Sequence, residues 1–329
     1  SSPAKSDMMD SGFTNGVIAV KEKRLFGERL VRFAEMSAED VFRALTEAGY
    51  GFNAASSVYE FEAMISAEER DLDDFIRTYA PSGAELEYFL APRDFHNGKA
   101  LLKAHALGQN AKSLLAPDGL VPSERISACI EAGDFSPLSG ELKRALEEGK
   151  ALLEAGKEGA GVRLGVLFER ALYAHLAAKC APNRSLKKLI ARKADTENIL
   201  SYLRAPSKEA AEAVYVPGGT LKKEKLAGLF SSDPDKAERT LRGTPYEELA
   251  ERCFAAKRAG KPFSDAEKSA DDLETDFYRH ALYSKEGRDP FLLYVIRRRA
   301  ENADVRILLV CLLAGMPAAD IKARLRGIL

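Results

Sequence analysis

The sequence predicts an all-α protein, and three observations carry that prediction. Apolar residues recur at helical spacing along the 329-residue chain, and runs of alternating β-branched residues are nearly absent. Serines followed three residues later by Asp or Glu stand where helices should begin, because that pair satisfies the orphan amide donors of a first turn.

Along the chain, Phe26, Leu30 and Phe33 fall at i, i+4 and i+7, and Leu72, Phe75, Ile76 and Tyr79 at i, i+3, i+4 and i+7. Each set marks one apolar face, and Ile321, Leu325 and Ile328 repeat the first spacing. Helix starts are expected at Ser37/Asp40, Ser66/Glu69, Ser82/Glu85 and Ser264/Glu267. Gly49 and Gly315 stand where a left-handed residue would end a helix, and Pro317 then opens the next. Further helices are expected over 142–154 and, with acidic amphipathic character, around 71–79, 164–176 and 271–283. The stretch 305–313 is apolar almost all round and should be buried.

Composition bounds the function. The length predicts two or three cores, and 46% hydrophobic with 30% charged residues argues against both a membrane-embedded and a disordered chain. Lys and Arg number 49 against 50 Asp and Glu, a net charge of -1, which is unlike a general nucleic-acid binder. The longest apolar run, Ile307 to Ala314, falls well short of the ~20 residues of a bilayer span. Residues 1–12 lack the apolar core of a signal peptide and are read as a disordered N-terminus, so a cytoplasmic location is expected. Cys129, Cys180, Cys253 and Cys311 form no CxxC pair and are read as reduced and mostly buried.

Self-comparison reveals an internal repeat. Asp94-Phe95-His96-Asn97-Gly98-Lys99, Asp195-Thr196-Glu197-Asn198 and Glu301-Asn302-Ala303-Asp304-Val305-Arg306 each place an acid, two spacers and Asn or Asp ahead of an apolar helix. The copies lie about one hundred residues apart, a period that fits similar small domains better than a short-repeat solenoid. Three helical domains are therefore expected near 13–112, 113–214 and 215–329, with joints near 108–122 and 206–219. Asp94, Asn97, Lys99, Asp195, Asn198, Glu301, Asp304 and Arg306 form the repeat motif. Residues 37–50 and 232–246 share an upstream element, with Thr46 ahead of Tyr50 and Thr244 ahead of Tyr246.

Chemical readings of these motifs are weak. His96 between acid and amide resembles a catalytic constellation, but the other copies lack the His, so a structural role is favoured: an acid and an amide three apart on a helix cap it or bridge to a neighbour. His105, His175 and His280 share no metal-ligand spacing, and no metal is expected. The glycines of 159–165 follow a helical pattern where a phosphate cradle requires a strand, and are read as a flexible interhelical turn. Gly156-Lys157-Glu158 lacks the upstream glycine and the hydroxyl of a phosphate loop. No catalytic residue, nucleotide site or cofactor is expected. Charge is nonetheless uneven: Asp71, Asp73 and Asp74, then Asp265, Asp271, Asp272, Glu274 and Asp276, are acidic. Arg184, Lys187, Lys188, Arg192 and Lys193, then Arg297, Arg298 and Arg299, are basic. Such runs read as solvated faces by default, or as a polarised body that steers charged partners.

The Asp94–Lys99 motif, the Val216-Pro217-Gly218-Gly219-Thr220-Leu221 turn, Gly243-Thr244-Pro245-Tyr246 and the closing Glu301-to-Arg306 helix, in this order, resemble the C-subunit family of V-type and archaeal-type rotary ATPases (the d subunit in eukaryotes). Asp304 stands where that family's last copy usually has Asn, and Gly98 where it more often has an apolar residue. The resemblance implies a non-catalytic rotor subunit: three helical domains in a pseudo-threefold, funnel-like arrangement, peripheral to the cytoplasmic face of the membrane. It further implies two partners, the central-stalk subunits of the soluble head and the proteolipid subunits of the membrane rotor ring, in proton or sodium transport. The competing readings are a helical-repeat adaptor unconnected with ion transport and a helical enzyme whose Asp/Asn clusters do acid–base work.

Overall fold

The computed structural model describes residues 11–156, 158–262 and 289–325. Every regular element among them is helical, and no strand occurs among the described residues. Their packing separates two compact units, one from the described residues of 1–82 and 278–329, the other from those of 83–277.

The first unit joins the two ends of the chain. It contains α1 (Ser11–Glu22), α2 (Arg29–Phe33), α3 (Ala38–Glu47), α4 (Phe61–Tyr79), α14 (Pro290–Leu313) and α15 (Ala318–Arg324). Leu30, Val41, Leu45 and Ile65 from the N-terminal part share one core with Val305, Leu308, Leu309 and Ile321. The expected burial of 305–313 holds for Val305, Leu308, Leu309 and Cys311, while Val310 is 48% exposed on the outer side. Aromatic packing adds to this core: Phe75 stacks on Phe291 with ring centres 5.5 Å apart and meets Tyr294 edge-on at 4.9 Å.

The second unit contains α5 (Gly83–Ala106), α6 (Ser123–Ala132), α7 (Gly140–Glu154), α8 (Ala160–Lys179) and α9 (Arg184–Arg204). It continues with α10 (Lys208–Val214), α11 (Lys223–Leu226), α12 (Pro234–Glu238) and α13 (Glu247–Arg258). Two cores form within it, one around Phe95, Leu102, Ile126, Leu146 and Phe168, the other around Ile199, Tyr202, Leu226, Leu249 and Cys253. Gly98 lets α5 approach closely, since a Cβ there would lie 3.3 Å from both Leu142 and Phe168.

Local signals fare differently. The Ser37 hydroxyl accepts the Asp40 N–H at 3.1 Å and caps α3, which ends as expected on left-handed Gly49 (φ 80°). Gly315 (φ 69°) likewise ends α14, and Pro317 precedes α15. Ser66 starts nothing: it lies inside α4, which begins at Phe61 behind a 3-10 turn. The glycines of 159–165 are not one flexible turn either. Only Gly159 is left-handed, and α8 starts at Ala160, because Gly161 and Gly165 sit in a frame already set by Leu164 and Phe168 in the core. The joint near 206–219 contains α10. Ser264/Glu267, the helix over 271–283, the acidic residues 265–276, His280, Lys157 and Ile328 lie outside the described residues. All four cysteines are buried, and none forms a disulfide among the described residues.

Candidate functional site

The repeated motif is buried and engaged in hydrogen bonds in each of its three copies. On α5, Asp94 and Asn97 are one turn apart and buried, and both face the loop that leads into α6. Asn97 forms a closed pair with the backbone of one residue: its Oδ1 accepts the Ala116 N–H at 2.8 Å and its Nδ2 donates to the Ala116 carbonyl at 3.1 Å. Asp94 accepts the backbone N–H groups of Leu120 and Val121, both at 3.1 Å. His96 Nε2, on the exposed side, lies 2.9 Å from the Leu114 carbonyl.

The second copy repeats this geometry almost atom for atom. On α9, Asn198 accepts the Val216 N–H at 2.8 Å and donates to the Val216 carbonyl at 2.9 Å. Asp195 accepts the Leu221 N–H at 2.8 Å, the Thr220 hydroxyl at 2.5 Å and the Tyr246 hydroxyl at 2.9 Å. Both loops read x-Pro-x-Gly, and the glycine is a necessity of space. A Cβ on Gly119 or Gly219 would lie 2.2 Å from the Oδ1 of Asp94 or Asp195. Each motif fastens its helix to the loop that follows it, and the second also ties α9 to the start of α13 through the Tyr246 hydroxyl.

In the third copy the acid is again buried, but its loop comes from the other end of the chain. Glu301 accepts the Phe26 N–H at 2.6 Å and the Gly27 N–H at 3.4 Å. Next to it, Arg298 is 5% exposed and donates to Glu301 and to the fully buried Glu68, whose other oxygen accepts the Gly51 N–H at 2.7 Å. Arg298 therefore departs from the solvated run expected for 297–299, because it lies one turn from Glu301 on the face of α14 that meets α4. Asn302, a spacer position of this copy, accepts the Tyr50 hydroxyl at 2.9 Å, so each of the two tyrosines of the shared upstream element donates into one copy of the repeat. The Nδ2 of Asn302 has no hydrogen-bond partner among the described residues. Asp304 is buried, Lys99 is half-buried, and Arg306 spans Glu62 and Glu69 at 3.1–3.2 Å.

Electrostatics follow from burial. Asp94 is pushed up to about 6, since burial outweighs its two amide donors, and Glu87 adds to the rise while His175 opposes it. Burial also raises Glu301 against the opposing pull of Arg298 and the Phe26 and Gly27 amides. Tyr246 is raised by burial and by Asp195, which requires its proton. The carboxylates and amides on α5 and α9 are engaged with backbone and hydroxyl partners, and this arrangement fixes the loops that follow those helices. Among the described residues no cluster of three His, Cys, Asp or Glu is arranged to hold a metal ion, and no helix is long and apolar enough to cross a membrane.

Gly51, Glu68 and Gly119 did not stand out in the sequence, while Gly219 did so only as part of the 216–221 turn and Arg298 only as part of a basic run. The signal for the two glycines was present: Pro117-x-Gly119 and Pro217-x-Gly219 follow the two asparagines at nearly the same distance.

The profile of the family described as ATP synthase (C/AC39) subunit matches residues 14–324. The chain is 22% identical over 276 residues to the C subunit of the V-type sodium ATPase of Enterococcus hirae, covering 82% of this chain and 83% of that protein. It is 24% identical over 286 residues to the C subunit of the V-type ATP synthase of Thermus thermophilus, covering 78% of this chain and 85% of that one.

Proposed function

The chain belongs to the ATP synthase (C/AC39) subunit family, and from that premise we propose that it is the non-catalytic rotor subunit that seats the central stalk on the membrane rotor ring. The observation that carries this reading is the match over 14–324, nearly the full length, with both relatives covered over more than four fifths. In this reading the repeat units 13–112, 113–214 and 215–329 form a pseudo-threefold, funnel-like socket. It lies on the cytoplasmic face, touching stalk subunits on one side and the proteolipid ring on the other, and it passes torque between ATP chemistry and proton or sodium movement.

The motif geometry supports such a role. A coupling that transmits torque must not yield at its joints, and loops are the compliant parts of a helical protein. Here the loops after α5 and α9 are fastened by buried carboxylates and amides. The test is deletion of the gene in a cell that runs this ATPase, followed by assay of its membranes. ATP hydrolysis by the soluble head should persist while ATP-driven ion transport disappears. Membranes that still pumped ions at the wild-type ratio per ATP would overturn the reading.

A further inference from the structure

Residues 170–194 carry seven cations, Arg170, Lys179, Arg184, Lys187, Lys188, Arg192 and Lys193, and no carboxylate, in a chain whose net charge is -1. Four of them, Lys179 at the end of α8 and Arg184, Lys187 and Lys188 in the first turns of α9, are exposed. None of the four side chains makes an ion pair or hydrogen bond among the described residues. Hydrogen bonds hold the turn between them in place. Asn183 caps α9 by accepting the Leu186 N–H at 2.9 Å and donates to buried Glu85 at 2.6 Å, and the Cys180 thiol meets the Ala84 carbonyl at 3.4 Å.

This placement is unfavourable for the isolated fold. Cations at a helix start oppose the helix dipole, and the first turn of α9 carries no acid of its own, although the Glu85 carboxylate lies beside the Asn183 cap. Mutual repulsion of four neighbouring charges adds to the disadvantage. An arrangement that weakens the free chain is relieved by an anionic partner.

We propose that Lys179, Arg184, Lys187 and Lys188 form a docking surface for the anionic lipid headgroups of a membrane. The proposal rests on reading the chain as a subunit that works against a membrane. Lipid is favoured over a protein partner by what the surface lacks. Protein interfaces concentrate their affinity in buried aromatic and apolar anchors, and none of the large exposed apolar side chains falls within 170–194. Three of the four groups are lysines, flexible point charges suited to a diffuse layer of phosphates.

The test is sedimentation of the purified full chain with vesicles of pure phosphatidylglycerol and of pure phosphatidylcholine, at low and high salt. The wild-type chain should bind the anionic vesicles alone, and binding should fade as the screening length drops below about 8 Å. The variant carrying K179Q, R184Q, K187Q and K188Q, all surface changes, should melt at or slightly above the wild-type temperature and bind at least about tenfold more weakly. Equal binding by the variant, or none by the wild type, overturns the proposal. So does loss of the variant from detergent-solubilised ATPase that retains the wild-type chain, which would assign the surface to a protein neighbour. Failure of the wild-type chain to co-purify with the ATPase would overturn the parent reading and the proposal with it, whereas failure of the vesicle arm alone removes only the proposal.

Discussion

Glu301 accepts the backbone N–H of Phe26 at 2.6 Å across 275 residues of chain. The bond matters because it gives the last copy of the motif a loop to hold. The copies on α5 and α9 fasten loops 18 to 27 residues further on. For α14 the turn that opens α2 takes the place of such a loop.

The buried charges beside that bond should be the least tolerant point of the first unit. Replacing Arg298 with Met leaves Glu68 and Glu301 buried without a counter-ion, at an expected loss of about 3–5 kcal/mol. Adding Glu68→Gln and Glu301→Gln to the same chain should recover part of that loss, since neutral amides need no counter-ion. Urea unfolding of the single and triple variants checks this. A triple variant less stable than Arg298→Met alone would contradict it.

The loop glycines make a prediction of opposite sign at two kinds of site. Gly219→Ala drives a methyl to 2.2 Å from Asp195, so the loop must shift and release its hydrogen bonds, for a loss of about 1–3 kcal/mol. Gly161→Ala lies in α8 with nothing within 4 Å of the new methyl, and helix propensity should make it stabilising by about 0.5–1 kcal/mol. Thermal melts of the two variants should therefore move in opposite directions.

The amides of the motif should each matter on their own. Asn97→Leu and Asn198→Leu would leave the backbone N–H and carbonyl of Ala116 and of Val216 without these partners, at about 1–3 kcal/mol per site. Hydrogen exchange should then accelerate at the Ala116 N–H in the first variant and at the Val216 N–H in the second. Unchanged exchange would mean the loops are held by something else.

What was legible in the sequence was whatever repeats or acts locally. Helical class follows from periodicity, the start of α3 from Ser37 and its end from Gly49, and the motif itself from its recurrence. Ser66 shows the limit of local signals, because a Ser three residues ahead of Glu occurs by chance within a helix whose start has no side-chain cap. The partners of the motif were harder to see. Glu68 and Arg298 look like surface charges in a one-dimensional pattern, and only the packing of α14 on α4 turns them inward. The sharing of one core by both chain ends has no periodic signature at all.

Asp94 should give the second unit an unusual dependence on pH. Its ordinary value is 3.8 and the folded value is about 6, so between about pH 4 and pH 6 the folded chain holds a proton that the unfolded chain has released. Stability contributed by this group is then greatest below that window and falls as pH rises through it, by about 3 kcal/mol for a shift of roughly two units. This is the reverse of a salt-bridged carboxylate. Asp94→Asn removes the titration while its amide oxygen still accepts one of the two loop N–H groups. The variant should therefore be clearly less stable than wild type near pH 4.5, and the gap should narrow or close near pH 7. Urea unfolding of both proteins at the two pH values measures it directly, and a gap that stays constant or widens toward pH 7 would show that Asp94 is ionised throughout.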